Sequence, residues 1–594
     1  MTIGLSVVCV LMAGLLMPSW GRSPVSAHVS TGTGGAVASV DERATQIGLA
    51  VLQSGGNAVD AAVATAAAVG VTDPFSAGIG GGGFMLIYQP DRGTVVTLDG
   101  RETAPAATTP DLFQDPDSET GNNLPFFPNR ISSGLAVGVP GTPLNWATAL
   151  ERYGTQSLAA VLNPAIALAE SGFTVDATFA AQIAQNQERF AAFTSTRELY
   201  LPDGQVPTVG SLFLNPSLGE AYRRLATHGA NDFYRGEMAQ AIAQTVQFPP
   251  VVDVPPFKVW PGRLTTADLD RYGVRVRPPL EITYRDHRLF GMGLPSSGGI
   301  TVAQTLKLLE VFDLSEMERA EALHWLIEAE RLAFSDRNAY LGDPEYVDVP
   351  LAGLLNADYL AGRRSQLPPQ APPNEADFRA IAGNPLPYQQ DPSPSLTTLP
   401  VVSQTAEVGG LSTTHITVVD ANGMAVAYTL TLESTGGSGM VVPGYGFILN
   451  NELTDFNPDA PHPNVPEPGK RPRSSIAPTI ALAPDGSLLA FGSPGGSTII
   501  TTVLNIAVNM IDFDMDLEAA ISAPRLSQRN SGTTLVDQAF ATTDIGSDLL
   551  SKGHQLNSVE EIGAATGILV KPDGTMLAVA EPVRRGGGSA LTLP

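Results

Sequence analysis

Four short segments in the last third of the chain combine hydroxyls, carboxylates and glycine backbones as a hydrolytic site requires. They are GLSTTHITVVD (410–420), NNELTDF (450–456), RPRSS (471–475) and GSPGGS (492–497). In the first segment, Thr413 lies between a polar stretch and a β-branched stretch typical of a strand. If the chain were cut before this residue, the new α-amine would accept the hydroxyl proton, which activates an otherwise weak nucleophile.

The glycine pair Gly495 and Gly496 is suited to bind an oxyanion, because glycine lets a substrate approach the backbone N–H groups that stabilise a tetrahedral acyl-transfer intermediate. A phosphate-binding loop would carry a Lys-Ser/Thr after the glycines, and this chain has none there. A serine-hydrolase site is also disfavoured, because no G-x-S-x-G occurs. The seven histidines do not fall at metal-ligand spacing, so we expect neither a catalytic metal nor a cofactor.

The charge balance excludes some classes of partner. The 594 residues carry a formal net charge of −25 with only 34 Lys and Arg, which argues against nucleic acid and against an anionic membrane surface. An anionic substrate would need a local basic residue. The length allows one large core or several domains.

The first residues resemble a secretory leader. An apolar run over residues 1–17, too short for a comfortable membrane span, is followed by Pro18 and by VSA (25–27). This pattern predicts a signal peptide over residues 1–27 and a secreted or periplasmic protein. Because no Lys or Arg precedes the apolar run, an uncleaved membrane anchor is the alternative. Cys9 lies in this segment, so the mature chain would contain no disulfide and no thiol chemistry.

Periodicity predicts both helices and strands. Helical spacing of apolar residues occurs over 40–70 (interrupted at 55–56), 143–152, 157–170, 301–310 and 321–340, and strand patterns lie at 83–88, at 94–99 and after residue 413. The proline-rich stretch 366–399 predicts an exposed, irregular segment leading to the nucleophile. If the chain is cut before Thr413, such a segment would let the new C-terminus leave the site. The alternative is that the segment is an ordinary linker.

The strand after the candidate nucleophile reads as one arm of a hairpin. A three-residue loop with Gly423 in the left-handed conformation would pair Asp420 with Met424 and place Thr413 opposite Thr431. A two-residue Asn-Gly turn would instead pair Thr414 with Thr431 and turn Thr413 to the other face. The residues alone leave both registers open.

These segments resemble the γ-glutamyltransferase family, and the resemblance covers nearly the whole chain past its N-terminal segment. Further blocks occur upstream in the family's order: GGNAVDAA (55–62), SAGIGGGGF (76–84), RETAP (101–105), PSSGG (295–299), AFSDR (333–337) and YLGDP (340–344). Each block alone is weak evidence for the family, whereas the occurrence of all of them in the family's order is specific to it. The resemblance implies an α+β fold, a four-layer αββα sandwich of the N-terminal-nucleophile hydrolase type.

The resemblance also implies self-cleavage between Ser412 and Thr413. The products would be a large subunit (28–412) and a small subunit (413–594), which form one intertwined heterodimer. The family's Thr-Thr-His-type start assigns the first threonine as nucleophile over its competitor Thr414.

A second threonine supports the nucleophile in the family. Thr431 matches it, which favours the three-residue hairpin loop. His415 lies two residues after the nucleophile on the same strand face, so we expect it to have a packing role rather than a Ser-His-type one. The pair Gly495 and Gly496 matches the family's oxyanion hole.

Binding a γ-glutamyl group requires contacts to an α-carboxylate and an α-ammonium. Arg101 can form a bidentate pair with the carboxylate. By resemblance, Ser474 and Ser475 add hydroxyl donors, and Glu452 and Asp455 accept from the ammonium.

The chain departs from the family in two places. Glu433 stands where many relatives have Asn, and a third carboxylate would bind the ammonium more strongly or hold a shared proton. The connection Asn457 to Gly469 is shorter than the loop that covers the glutamyl pocket in several relatives. A more open site would favour hydrolysis and bulky donors.

We therefore expect a γ-glutamyltransferase with glutathione hydrolase activity, acting on a γ-glutamyl donor and passing the acyl group to water, an amino acid or a peptide. A cephalosporin or glutaryl amide acylase on the same scaffold is the nearest alternative. It is disfavoured because a glutaryl group lacks the ammonium that the carboxylates would receive. An uncleaved, catalytically silent binding protein is the alternative from another class.

Overall fold

The structure of the protein, a computed structural model, describes residues 28–372, 375–389 and 412–594. The predicted signal peptide (1–27) and the residues just before the predicted cleavage site (390–411) lie outside the described residues. Within the described ranges, no helix combines the length and the apolar character needed to cross a bilayer.

The described residues form the following strands: β1 His28–Gly32, β2 Gly35–Ser39, β3 Gly82–Gln89, β4 Thr94–Gly100, β5 Phe173–Thr174, β6 Leu212–Phe213, β7 Arg275–Arg277, β8 Leu280–Tyr284, β9 His287–Gly291, β10 Thr414–Asp420, β11 Ala425–Thr431, β12 Thr479–Leu482, β13 Leu488–Gly492, β14 Leu526–Ser527, β15 Thr534–Asp537, β16 Leu556–Val559, β17 Thr566–Val570, β18 Met576–Ala580 and β19 Ser589–Leu593.

The α-helices are α1 Glu42–Gln53, α2 Ala58–Thr72, α3 Thr142–Tyr153, α4 Leu158–Ser171, α5 Ala177–Gln185, α6 Gln187–Ala191, α7 Thr194–Tyr200, α8 Pro216–His228, α9 Ala230–Arg235, α10 Glu237–Gln247, α11 Thr266–Arg271, α12 Gly298–Leu309, α13 Arg319–Tyr340, α14 Leu351–Leu354, α15 Ala357–Arg364, α16 Thr498–Ile511, α17 Leu517–Ser522, α18 Gln538–Ala541 and α19 Asp544–Ser551.

Two seven-stranded antiparallel sheets form the centre of the molecule. The first has the order β19-β2-β10-β11-β3-β4-β7, and the second has the order β1-β18-β17-β13-β12-β9-β8. Each sheet therefore combines strands from both sides of the predicted cleavage site. The two fragments would share a continuous ladder of backbone hydrogen bonds in each sheet.

Successive side chains of β2 are buried in two different cores, which shows how the layers pack. Along β2, Val37 faces a core built with α1 and α2, whereas its neighbours Ala36 and Ala38 face the second sheet. This period of two is the one expected for a strand buried on both faces. The second sheet is covered on its other side by α12, α16 and α17. The predicted αββα class is confirmed.

The predicted helices are found with small shifts of their ends. The 40–70 pattern forms α1 and α2, separated by the glycine pair as expected. Asn57 caps α2, since its side chain accepts from the N–H groups of Val59 and Asp60, and the Asp60 side chain accepts in return from the Asn57 N–H. This capping box accounts for the polar residues of the GGNAVDAA block. Sequence periodicity did not predict α5 to α11 or the helices after α13.

The proline-rich segment was expected to be exposed, and this is wrong for part of it. Its described residues are irregular apart from short turns, yet Glu375 and Ala380 are buried. The Ala380 N–H donates to Asn530 Oδ1 over 2.7 Å, and Asn530 Nδ2 donates back to Ala380 O over 3.0 Å. This segment is anchored by two hydrogen bonds to a residue 150 positions away in the sequence. The amino-acid composition of the segment could not predict its partial burial.

The two sheets approach closely at the end of β13. A Cβ atom added at Gly492 would lie 2.5–2.8 Å from the His415 ring, which belongs to the first sheet. We predict that Gly492→Ala lowers the free energy of unfolding by about 1–3 kcal/mol, because the buried ring has no room to move. Thermal melts of the two proteins would measure this.

The matched control is Gly362→Ala in α15, where an added Cβ would meet nothing within 4 Å. We expect this change to be neutral or to stabilise by about 0.5–1 kcal/mol. Equal melting temperatures for the two variants would show that the sheets have more room here than the structure indicates.

Candidate active site

The hairpin after Ser412 has the register that places the two candidate threonines face to face. Thr414 pairs with Leu430, and the Asp420 N–H donates to Met424 O over 3.0 Å around Gly423, whose φ is 83°. The three-residue loop is thus confirmed and the two-residue alternative is wrong.

One residue before β10 begins, Thr413 Oγ1 lies 2.9 Å from Thr431 Oγ1. Thr431 Oγ1 also accepts from the N–H of Glu433 over 2.8 Å. Thr414 Oγ1, by contrast, has no hydrogen-bond partner among the described residues. Of the two neighbouring threonines, it is therefore Thr413 and not Thr414 whose hydroxyl is paired with Thr431.

The backbone of Thr413 is strained. Its φ is 83°, a region that β-branched residues rarely adopt because Cβ clashes with the backbone. Such a conformation costs on the order of 1–3 kcal/mol and persists only where surrounding contacts hold it. Glu433, two residues after Thr431, also has a positive φ, of 79°. Both strained residues lie at the hydroxyl pair.

Arg585 is a site residue that the sequence analysis missed. Its Nη1 donates to Thr413 O and its Nη2 donates to Ser76 Oγ, with Asp73 Oδ2 3.5 Å away. The guanidinium therefore fixes the peptide plane that follows the candidate nucleophile. No local pattern indicates this contact, because it joins residues 172 positions apart in the sequence.

His415 has the packing role that was expected. It is fully buried, its Nδ1 lies 2.7 Å from Thr429 Oγ1, and it packs against Gly492. Burial lowers the pKa of His415 to about 3, so the ring is neutral. It spaces the two sheets next to Thr413.

The glycine pair follows the strand that faces the nucleophile hairpin. β13 ends at Gly492, beside His415, and the chain then passes through Gly495 (φ 131°) and Gly496 (φ 57°) before α16 begins. The left-handed conformation of Gly496 favours glycine. Across the same gap between the sheets, Thr417 Oγ1 lies 3.4 Å from Thr566 Oγ1. The assignment of the oxyanion hole to these two N–H groups stays a prediction.

Arg101 is fully buried and donates to several acceptors. Its Nη1 bonds to Glu452 and its Nη2 bonds to Asp455, while its Nε donates to Pro472 O over 3.1 Å and its Nη2 to Arg473 O over 3.1 Å. The predicted carboxylate-binding arginine and the predicted ammonium acceptors are therefore paired with one another.

Several carboxyl groups lie close to the Arg101 guanidinium. Glu102 lies 4.0 Å from Arg101 Nη1, and neither of its buried oxygens has a hydrogen-bond partner among the described residues. Burial raises the pKa of Glu102 to about 8. Burial and then the neighbouring Asp455 raise the pKa of Glu433 to about 7, and burial raises that of Glu452. Four carboxyl groups thus lie around the Arg101 guanidinium, with the Arg189 guanidinium close enough to Glu433 to interact with it.

The predicted hydroxyl donors Ser474 and Ser475 follow the segment whose carbonyls Arg101 binds. Ser474 directly follows Arg473, whose carbonyl Arg101 binds, and Ser474 Oγ accepts from the Ile476 N–H over 3.2 Å. Ser475 Oγ accepts from Arg337 Nη2 over 2.7 Å. Ser475 therefore connects the site to the end of α13.

The short connection after Asp455 is tied into the site by Asn464. Its Nδ2 donates to Asp455 O over 2.7 Å, and its Oδ1 accepts from the Arg473 N–H over 2.8 Å. These contacts hold the turn Glu452–Asp455 against the Arg473–Ser474 strand segment. The loop positions site residues, which the sequence alone did not indicate.

The sequence that carries the strained threonine and the acidic pocket matches a known protein family. A sequence model described as gamma-glutamyltranspeptidase matches residues 44–591. The chain belongs to the γ-glutamyltranspeptidase family.

Among curated relatives, the glutathione hydrolase proenzyme of Bacillus subtilis (strain 168) is 37% identical over 570 residues, covering 95% of this chain and 93% of its own length. That of Escherichia coli (strain K12) is 35% identical over 567 residues, covering 92% and 90%. The acylase ACY 1 proenzyme of Pseudomonas sp. (strain V22) is 31% identical, covering 94% and 95%.

Solved structures include members of both groups. A cephalosporin acylase from Bacillus halodurans superposes with a TM-score of 0.81 and 27% identity, covering 98% of this chain and all of its own. A chain of the Helicobacter pylori γ-glutamyltranspeptidase gives a TM-score of 0.52 and 32% identity, covering 61% and 96%. The fold is shared by hydrolases of γ-glutamyl compounds and by acylases.

The hydroxyl pair gives a prediction for Thr431. Thr431→Val should lower kcat by about 5- to 150-fold, because Thr413 Oγ1 and the Glu433 N–H lose a buried partner worth about 1–3 kcal/mol. Thr431→Ser should retain most of the activity. Steady-state kinetics with a chromogenic γ-glutamyl donor would measure both.

Thr429→Val is the matched control, because that hydroxyl lies on the same strand face but contacts His415 instead. If Thr431→Val and Thr429→Val lose the same amount of activity, the hydroxyl of Thr431 has no special relation to the nucleophile.

Proposed function

We propose that the protein is a self-processing γ-glutamyltransferase with glutathione hydrolase activity. The observation that carries this proposal is the cluster of four carboxyl groups around Arg101, of which Glu102 and Glu452 are buried and Glu433 and Asp455 are half-buried. A ligand that brings one carboxylate for the guanidinium and one ammonium for the carboxylates satisfies the pocket. The α-amino acid end of a γ-glutamyl group has this pair of charges.

Substrate binding is proposed to exchange partners within the pocket. In the free protein Arg101 is paired with Glu452 and Asp455. The ligand α-carboxylate would take their place on the guanidinium, and the ligand ammonium would be received by the released carboxylates together with Glu433. Each buried charge keeps a counter-charge, which avoids the large desolvation penalty of an unpaired ion.

The reaction starts with self-cleavage. Thr413 Oγ1 attacks the carbonyl carbon of Ser412, the peptide nitrogen leaves as the α-amine of Thr413, and water hydrolyses the resulting ester. Cleavage removes the constraint on φ of Thr413, because that torsion requires the bond to Ser412. Relief of strain therefore favours the product.

In the mature site the α-amine of Thr413 takes the hydroxyl proton, and Oγ1 attacks the γ-carbonyl of the donor. Thr431 orients Oγ1, and the N–H groups of Gly495 and Gly496 stabilise the oxyanion. The amine leaving group departs with a proton. Water or an acceptor amine then attacks the acyl-enzyme and releases the γ-glutamyl group.

The fragments 28–412 and 413–594 would remain associated as a heterodimer, since both sheets contain strands of each. The apolar run near the N-terminus, which predicts a signal peptide over residues 1–27, supports a secreted or periplasmic location. The short connection from Asn457 to Gly469 supports an open site that favours hydrolysis and bulky γ-glutamyl donors.

Self-processing can be tested on a denaturing gel. The mature protein should give fragments of roughly 40 and 19 kDa at average residue mass, and Thr413→Ala should stay at full length. Thr414→Ala should still be cleaved, which makes it the matched control. A wild-type chain that is active at full length would overturn the mechanism.

The choice between γ-glutamyl and glutaryl donors can be tested with amides that differ only in the α-ammonium. The γ-glutamyl amide should have the higher kcat/KM by at least about tenfold, because a missing ammonium leaves buried acceptors unpaired. The ratio of the two kcat/KM values should rise as pH increases through about 7, where Glu433 loses its proton. The nucleophile's α-amine affects both donors alike and cancels in the ratio.

Two variants sharpen the comparison. Glu433→Gln should flatten the pH dependence of the ratio, and Arg101→Lys should weaken both donors, because each retains the carboxylate. Equal kcat/KM for the two amides at every pH would overturn the γ-glutamyl assignment and favour an acylase.

A further inference from the structure

A buried cluster of histidine and glutamate side chains joins α13 to the loop after α19. His324 Nδ1 lies 2.9 Å from His554 Nε2. Glu328, one turn further along α13 from His324, adds a carboxylate to the cluster, in which one ligand atom of each residue lies within 4.8 Å of the others. All three side chains are at most 2% exposed. His324 is thirteen residues, or about 20 Å along the helix, from Arg337 at the active site, so the cluster is separate from that site.

In each histidine ring, the nitrogen that does not face the other ring has a partner that shows whether this nitrogen carries a hydrogen. His324 Nε2 lies 2.8 Å from Pro368 O. A carbonyl oxygen can only accept, so this nitrogen carries the hydrogen. His554 Nδ1 lies 3.1 Å from Glu375 Oε1. Glu375 also accepts from Arg331 and from the Gln555 N–H, so it is an ionised acceptor and His554 Nδ1 is a donor.

Two neutral rings in these tautomers would present lone pairs to each other across 2.9 Å. Such an arrangement is repulsive unless an electrophile lies between the nitrogens. A proton shared between the two rings or a metal ion can fill the role.

Glu328 distinguishes between these two electrophiles. Its Oε2 accepts from Arg331 Nε over 3.3 Å, while its Oε1 is buried and has no hydrogen-bond partner among the described residues. A shared proton would satisfy the histidines and leave this oxygen without a partner, which costs free energy in a dry interior. A metal ion would use all three ligands.

We propose that His324, Glu328 and His554 bind a divalent transition metal ion, with zinc as the best match. Two imidazoles and one carboxylate are a zinc ligand set, and zinc accepts four-coordinate geometry with a water in the last position. Backbone carbonyl and carboxylate acceptors on the outer nitrogens are the contacts that orient histidines toward a metal.

The geometry needs one small adjustment. Zn–N bonds of about 2.0–2.1 Å in a tetrahedral site place two nitrogens about 3.3 Å apart, so the rings must separate by about 0.4 Å. His554 follows Gly553, whose φ is 96°, in the loop after α19. This loop rather than α13 would absorb the shift.

The ion would act as a staple between distant parts of the chain. His324 and Glu328 precede the proposed cleavage site, whereas His554 follows it. The histidines also hold Pro368 and Glu375, in the proline-rich segment before that site. The expectation of no metal rested on sequence spacing, which cannot show ligands that are more than 200 residues apart.

Zinc content tests the proposal directly and does not depend on cleavage or on activity. The full chain, purified from cells grown with added zinc, should contain about one zinc ion per chain by mass spectrometry of the metal. His554→Ala should contain almost none. Glu328→Gln keeps the shape of the side chain and should hold zinc at least about tenfold more weakly in competition with a chelator.

The control variant is His287→Ala, since His287 lies outside the cluster and bonds to Arg285 O. It should retain the zinc of the wild type. Circular dichroism of Glu328→Gln should show a folded protein. A wild-type chain without zinc would indicate a histidine pair bridged by a proton only, and would overturn the proposal. Equal zinc in the wild type, Glu328→Gln and His554→Ala would overturn it as well.

Discussion

One buried guanidinium holds together the proposed substrate pocket. Arg101 is 1% exposed and reaches two carboxylates and two backbone carbonyls from segments more than 350 residues away. Removing a partner from a buried ion pair costs about 3–5 kcal/mol. The turn Glu452–Asp455 and the segment around Arg473 therefore stay in place as long as the guanidinium has no better ligand. Only a ligand with its own charges of both signs can displace them without leaving an ion unpaired.

The second constraint is the close approach of the two sheets at Thr413. Small residues such as Gly492 let the His415 ring fill the gap, and the neutral ring adds no charge beside the hydroxyl pair. Arg585 then holds the carbonyl of Thr413 in a backbone conformation that the residue would not adopt alone. The packed His415 ring and the hydrogen bond from Arg585 together keep Thr413 in its strained conformation. Cleavage of the bond between Ser412 and Thr413 would release that strain.

Local patterns predicted much of this arrangement. Apolar periodicity predicted the main helices, and the turn residues around Gly423 reduced the hairpin to two possible registers. The resemblance to a family with a second, supporting threonine, matched by Thr431, then favoured the register that is found. Contacts distant in sequence could not be obtained in this way. Arg585 reaches Thr413 from the far end of the chain. The pairing of Arg101 with its expected co-ligands and the anchoring of the proline-rich segment likewise depend on how the two sheets bring separate segments together.

Overall similarity does not decide which acyl group this site accepts. The chain superposes well on a cephalosporin acylase, while the glutathione hydrolase proenzymes reach higher identity than the ACY 1 acylases. The shared scaffold supplies the nucleophile in either case. The difference we expect is electrostatic: Glu102, Glu433, Glu452 and Asp455 lie around Arg101, with the Arg189 guanidinium near Glu433. A glutaryl group would bring another negative charge and no cation, so it would favour the protonated forms of these carboxyl groups. A γ-glutamyl group brings both charges, and for that reason we propose that the side chains of the pocket, rather than the fold, select the donor.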